Sequence, residues 1–219
     1  APKWNDIKNV FQTFMKATLH IMDSGKEPEL LTFVLKAVAN YIPYLTAIPR
    51  IAQFLLRSLT NLWSAPLDSS EDYQVVRLNA FMRIRQLALT QPFPFIEDCL
   101  KKPYLAYAKR AKFGGGSSMT NVLPTLTFMG NCLVELYTLD YQSSYQHTFV
   151  YVRQLALLLR AAMQKKTAET FQQVYCWQYV HCLKLWVSVL VSACQRKDDD
   201  VRIDEVQQMR SMIYPLTQI

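Results

Sequence analysis

The sequence predicts an all-α fold built from a row of antiparallel helices. Only five of the 219 residues are glycine and 51% are hydrophobic, so turn-forming residues are scarce while apolar residues are plentiful. Apolar residues recur at spacings of three and four, which is the period of one helix face, and no stretch alternates as a half-buried strand does. Counting the periodic segments gives about nine helices. The same composition excludes a disordered or collagen-like chain.

Three helices are predicted before residue 65. The first covers 4–22, and Gly25 marks its stop because glycine tolerates the backbone that ends a helix. The second covers 27–41 and begins at Pro28, since proline is accepted in a first turn. The third covers 50–63 and ends in a loop rich in serine and proline.

Two further helices are predicted up to residue 113. The fourth covers 71–89 and the fifth covers 95–113, where Pro103 should kink the helix because it removes a backbone donor. The core face of the fourth helix is expected at four apolar positions, Val75, Leu78, Met82 and Leu89.

The last helices are predicted over 121–139, 140–164, 167–195 and from about 201 onward. Asp140 and Thr167 are expected N-caps, because each side chain can accept a hydrogen bond from a free amide of the first turn. The helix over 167–195 is apolar on several faces, so we expect it to be central and covered on several sides.

Consecutive helices joined by short loops favour an α-solenoid of the HEAT or armadillo kind over a globin-like pack. No strict sequence period of that length is present. We expect residues 1–113 to form the N-terminal part of the array and residues 119–219 its C-terminal part. The segment between them, 114–118, reads Gly-Gly-Gly-Ser-Ser and predicts a flexible linker or loop, either native or engineered.

The sequence offers few groups for chemistry, and we expect no enzyme, no cofactor and no metal site. Phosphate-binding loops, dinucleotide fingerprints and metalloprotease motifs are all missing from the sequence. The cluster Cys176, His181 and Cys182 has metal-ligand types, but on one helix the two cysteines face nearly opposite ways and no second pair completes four ligands. We therefore expect His181 to be a buried helix position, and His147 to be a hydrogen-bonded histidine between helices.

Cysteine and hydropathy patterns bear on the environment of the chain. Five cysteines are an odd, scattered set, which favours reduced thiols over a disulfide framework. The most apolar stretch, from Cys182 to Cys194, is interrupted by Lys184, so we expect no membrane span.

Positive charge is unevenly distributed. The net charge is +7, and residues 141–197 carry seven lysines and arginines against one glutamate. If the basic clusters share one edge, they suit RNA phosphates or an acidic protein partner. The alternative is ordinary solvated faces with a favourable cation at each helix C-terminus. The candidate contact residues are Lys101, Lys102, Lys109, Arg110, Lys112, Arg153, Arg160, Lys165 and Lys166.

Five segments carry a distinctive pattern. The most specific run from Tyr145 to Ala156, Tyr-Gln-His-x-Phe-x-Tyr-x-Arg-Gln-Leu-Ala, and from Trp177 to Cys182, Trp-Gln-Tyr-Val-His-Cys. The others cover 78–87, 107–113 and 213–219. Together they resemble the nucleolar complex protein 2 family over about residues 71 to 219.

The resemblance implies a HEAT-like helical array without catalytic activity, located in the nucleolus and nucleoplasm. It implies a scaffold for biogenesis of the large (60S) ribosomal subunit that supports maturation, rRNA processing and intranuclear transport of pre-60S particles. The implied partner is another nucleolar complex protein of the helical-repeat type, in a heterodimer, with no membrane and no small-molecule substrate. An alternative is a histone-binding transcriptional repressor that inhibits histone acetyltransferases.

The family pattern continues beyond Ile219, and the charged N-terminal region of family members is missing. The chain is therefore expected to be a fragment whose array ends with exposed apolar surface.

Overall fold

The computed structural model describes residues 2–65, 71–112, 119–195 and 203–219. Within these ranges the chain is helical without a strand, which confirms the predicted all-α class. One 3-10 helix, η1, spans Ile42–Ala47. The α-helices are α1 Pro2–Ser24, α2 Pro28–Val38, α3 Pro49–Ser64, α4 Glu71–Thr90, α5 Phe95–Ala111, α6 Met119–Tyr137, α7 Tyr141–Lys165, α8 Ala168–Val174, α9 Trp177–Gln195, α10 Ile203–Ser211 and α11 Ile213–Thr217.

The chain divides into two compact units, residues 1–102 and residues 103–219, which we call unit 1 and unit 2. Their boundary falls inside α5, at Pro103. The glycine and serine segment predicted as a linker, 114–118, lies outside the described residues, so the proposed division there stays a prediction.

Unit 1 is held together by packing of α3 on α1 and α4, and of α2 on α4. Hydrogen bonds to the backbone just before and just after α2 show the register of α2 against α4. They run from Tyr73 Oη to Lys26 O (2.6 Å), from Gln86 Nε2 to Ala39 O (2.9 Å) and from Gln91 Nε2 to Ile42 O (3.1 Å). The paired residues are 47, 47 and 49 positions apart, so α2 and α4 run parallel.

Gly25 ends α1 as predicted. Its amide donates to the carbonyl of Ile21 at 2.8 Å, and a Cβ at this position would lie 2.6 Å from the same oxygen. Only glycine permits this close approach, because any side chain at this position would clash with the Ile21 carbonyl.

The buried face of α4 differs from the predicted one. Val75, Leu78, Met82 and Leu89 are 39% to 58% exposed. The core face of this helix is instead formed by Val76, Ala80, Phe81, Ile84 and Leu87. The prediction was wrong because α4 has apolar residues on two sides, and periodicity alone does not say which side meets α2 and α3.

Unit 2 is built around α9, which packs against α6, α7, α8, α10 and α11. The two predicted N-caps are confirmed. Asp140 Oδ2 accepts from the amide of Ser143 at 3.3 Å, and Thr167 forms a capping box with Thr170 at the start of α8.

The helix predicted over 167–195 is not continuous. It breaks at Tyr175 and Cys176, leaving the seven-residue α8 without a buried side chain and α9 with eight buried residues. The break separates α8, which contributes no buried side chain, from α9, which contributes eight to the core.

Candidate interaction surfaces

Two of the nine predicted basic contact residues lie in unit 1, on α5. Lys101 is exposed, whereas Lys102 is half-buried. The Lys102 ammonium donates a hydrogen bond to Oε1 of Gln53 on α3, and Nε2 of the same glutamine donates to Oδ2 of Asp98. Lys102 therefore ties α5 to α3, and one of its three N–H donors is used within the fold.

Three more predicted contact residues lie at the C-terminal end of α5, in unit 2. Lys109 and Lys112 are exposed, and Arg110 is half-buried with its Nε enclosed by protein and without a hydrogen-bond partner. Lys109 and Arg110 also occupy the last turn of α5, where a cation interacts favourably with the helix dipole. Their position thus favours the helix by itself, and their contact with a ligand stays a prediction.

The other four predicted contact residues lie on α7 and at its end. Arg153 and Arg160 are exposed and seven residues apart, so they share one face. Leu157 lies between them on that face and is 51% exposed. Lys165 ends the helix, and Lys166 caps it in the left-handed region with φ 52°. The union of the α5 and α7 clusters in one surface stays a prediction.

The residues considered for metal binding or catalysis have the following surroundings in the structure. The Cys176 thiol donates to the carbonyl of Gln173 at 3.3 Å, before α9 begins. Cys182 is buried near Tyr104, and burial raises the pKa of its thiol to about 11. Across the described ranges, no three His, Cys, Asp or Glu side chains gather as a metal site. His147 packs its ring 6.1 Å from that of Tyr151.

An aromatic cluster fixes the middle of α9 in unit 2. The Trp186 ring lies 5.1 Å from Tyr104, 5.2 Å from Tyr137 and 5.9 Å from Tyr151, centroid to centroid. Tyr104 and Tyr151 are 4.1 Å apart. This packing positions α9 against both α5 and α7, because the rings come from all of these elements.

A groove lies between α6 and α9, which we call the α6–α9 groove. It contains a cavity of about 70 Å³, lined in part by Thr127 and Asn131 of α6 and by His181, Lys184 and Ser188 of α9. His181 is 7% exposed, and its Nε2 is buried and forms no hydrogen bond with any residue that the structure describes. Burial, and secondarily the positive charge of Lys184, lowers the pKa of His181.

Tyr107 holds the backbone at the floor of the groove. Its hydroxyl donates to the carbonyl of His181 at 3.2 Å. One turn earlier along α9, the side-chain amide of Gln178 donates to the carbonyl of Ala108 at 2.9 Å. These two hydrogen bonds hold the start of α9 against the end of α5. They therefore fix the backbone at His181.

The outer face of α9 beside this groove is apolar, and we call it the valine stripe. It consists of Val180, Val187 and Val191, each 47% to 50% exposed, with Lys184 among them. The prediction that this helix is central and covered on several sides is confirmed for α9, and the valine stripe is the side that stays half-exposed.

The stretch from Ala168 to Gln195 is long and apolar enough to cross a membrane by length and composition alone, contrary to the sequence-based expectation. Its most apolar window is 39% buried in the fold. The stretch is also divided between α8 and α9, and Trp186 in its middle is fully buried. These features are those of a core helix in a folded unit.

A family model described as the Noc2p family matches residues 94–219. The chain belongs to the Noc2p family. Its relatives include a nucleolar complex-associated protein 2 from Arabidopsis thaliana, 28% identical over 99% of this chain and 26% of that protein. A nucleolar complex protein 2 from Drosophila melanogaster is 30% identical over 99% of this chain and 26% of its own length.

A further relative bears a different name. The protein REBELOTE of Arabidopsis thaliana is 24% identical over 100% of this chain and 33% of its own length. The Noc2p-family chain described here thus spans between a quarter and a third of the length of these relatives.

Sequence reasoning about this Noc2p-family chain missed the α6–α9 groove. It treated His181 only as a possible metal ligand and then as a buried helix position, and it did not consider Lys184 as a contact residue. The signal was present in the sequence as valines at positions 180, 187 and 191, a spacing that places them on one face of a helix together with Lys184.

Proposed function

We propose that this chain is part of a non-catalytic helical-repeat scaffold that acts in the nucleolus and nucleoplasm. There it supports maturation and intranuclear transport of pre-60S particles during biogenesis of the large ribosomal subunit. Membership of the Noc2p family carries this proposal, because relatives aligned over nearly the whole chain are named for a nucleolar complex.

The helix register of unit 1 supports a repeat scaffold of the HEAT or armadillo kind. Side chains of α4 and of Gln91, the residue after it, donate to backbone carbonyls just before and just after α2, at separations of 47 and 49 residues. Lys102 on α5 contacts Gln53 on α3 at a separation of 49 residues. Equivalent helices therefore follow one another at a nearly constant interval, close to the roughly 40 to 47 residues of HEAT and armadillo repeats.

The proposed partner is another nucleolar complex protein of the helical-repeat type, bound as a heterodimer. Exposed apolar side chains on the described helices, such as Val187 and Phe33, supply surface of the kind that protein partners cover. The proposal is tested by purifying the full-length protein and offering it, separately, the helical-repeat nucleolar protein, large-subunit precursor RNA and histones. Stoichiometric binding of the nucleolar protein is expected, and binding of histones alone would overturn the proposal.

RNA contact is proposed for the basic residues of unit 2. Replacing the four exposed cations Lys109, Arg160, Lys165 and Lys166 with glutamate should weaken binding of precursor RNA and flatten its salt dependence. The slope of log affinity against log salt changes by about 0.7 to 0.9 for each phosphate that the protein no longer neutralises.

A matched control changes the same charge in unit 1. Lys3, Lys16, Lys26 and Lys36 are exposed, and their replacement with glutamate gives the same net charge. We expect the control to keep most of the original salt slope. Equal slopes for both variants would show that RNA senses only net charge and would dismiss the basic residues of unit 2 as a site.

A further inference from the structure

Helix α9 is apolar on nearly every side, yet one side is uncovered. Its core faces pack on α6, α7 and α10, and Leu185, Trp186 and Val189 are buried. The valine stripe on the remaining side is half-exposed. A helix that is apolar on every side is normally buried on every side. The half-exposed valine stripe is therefore a candidate surface for a binding partner.

The α6–α9 groove beside the stripe holds an unused polar group. Nε2 of His181 is buried in a residue that is only 7% exposed, and it has no hydrogen-bond partner within the described ranges. Leaving a buried polar atom unpaired is unfavourable, so a ligand that forms a hydrogen bond with it recovers part of that cost. The cavity, about 70 Å³, is large enough for one small polar side chain and is too small for a cofactor.

The charge of the groove is of one sign. Lys184 belongs both to the valine stripe and to the lining of the cavity, and none of the described residues that line the cavity is acidic. The larger grooves of unit 1 differ in this respect. A groove of about 480 Å³ includes Lys16, Asp23 and Arg57, and one of about 340 Å³ includes Glu29, Lys36 and Asp72, so both carry cations and anions.

We propose that the α6–α9 groove and the valine stripe bind an amphipathic helix of the protein partner, with its apolar side on Val180, Val187 and Val191 and a carboxylate on Lys184. This assignment rests on the proposed function, because it supposes a nucleolar complex protein as partner. Half-exposed valines favour a protein over RNA, since phosphate contacts would leave the aliphatic surface in water.

The site is tested by photocrosslinking in the full-length protein. A photoreactive phenylalanine analogue is placed at Val187 in one variant and, as a matched control, at Val75 in the other unit, which is similarly exposed. We expect position 187 to crosslink to an apolar helix of the co-purified nucleolar complex protein that carries an aspartate or glutamate, and position 75 not to reach that helix.

Charge exchange tests the ion pair directly. K184E should weaken binding of the partner at least tenfold, whereas K184M should weaken it less because methionine keeps the apolar contact. Replacing the acidic residue of the crosslinked partner helix with lysine should restore binding to K184E. Failure of that replacement to restore any binding would overturn the proposed pair.

The outcomes separate this inference from the proposed function. If the nucleolar protein co-purifies but position 187 crosslinks to RNA, to a second copy, to the same chain or to nothing, the α6–α9 assignment is overturned and the proposed function stands. If no nucleolar complex protein co-purifies with the unmodified full-length protein, both are overturned.

Discussion

Five tyrosines with raised pKa values are buried in unit 2. Burial raises the pKa of Tyr104, Tyr107 and Tyr137, and to a smaller extent that of Tyr151 and Tyr179. Each of these groups keeps its proton in the folded state at a pH where an unfolded tyrosine would release it.

This linkage predicts the behaviour of the chain in alkali. The folded-state pKa lies above the unfolded value of about 10, so the stability that depends on these protons is complete below pH 10 and is lost as the pH rises above it. We expect part of the twelve tyrosines to ionise only together with loss of helical circular dichroism. Tyrosinate absorbance and circular dichroism, recorded on one sample, measure both transitions.

A single variant provides the control for that titration. Y104F should remove one ionising group from the late step without adding one to the early step. Ionisation of all twelve tyrosines while the helical signal is intact would contradict the assignment of these hydroxyls to the core.

Lys102 is a single residue whose tertiary contact could not be predicted from the sequence. Its place in a basic run made it a candidate for contacting RNA, but its ammonium bonds Gln53, 49 residues away in sequence. The sequence shows that a residue is charged, but it does not show which distant residue forms a hydrogen bond with it. His181 is the converse case, because its unpaired nitrogen becomes visible only when α6 and α9 are packed.

Single elements were predicted well where the cause was local. The stop at Gly25 and the caps at Asp140 and Thr167 depend on nearby backbone groups, and the structure confirms all three. The break at Tyr175 and Cys176 has no proline or glycine to announce it. Likewise, the core face of α4 depended on which of two apolar sides met its neighbours. Both of these features are decided by tertiary packing.

The cap of α7 can be tested by one substitution. D140A removes the acceptor for the amide of Ser143 and should lower the free energy of unfolding by about 0.5 to 2 kcal/mol. D140N keeps a capping oxygen and should retain most of the stability. Urea denaturation followed by circular dichroism measures both, and equal losses for the two variants would show that the cap does not act through this oxygen.

At the scale of the whole molecule, each of the two compact units contains a buried tryptophan, from which we predict a local stability for each unit. Trp63 of unit 1 and Trp186 of unit 2 are both fully buried. Replacing either with alanine should cost about 3 to 5 kcal/mol, because apolar burial decreases and a cavity remains.

Hydrogen exchange with mass spectrometry can locate the loss. W63A should speed exchange in α3 and α4 more than in α7 and α9, and W186A should do the reverse. Exchange that rises equally in every described helix with either variant would show one cooperative core in place of two.

The glutamine contacts of both units have a consequence for handling the protein. Gln86, Gln91 and Gln178 each bond a backbone carbonyl of another segment through an uncharged amide, and the core around Trp186 is aromatic and aliphatic. Mobile ions screen interactions between charges and leave such contacts almost untouched, whereas phosphate binding weakens steeply with ionic strength. Concentrated salt should therefore dissociate bound nucleic acid while the chain remains folded. Protein prepared in this way is free of nucleic acid before binding is measured.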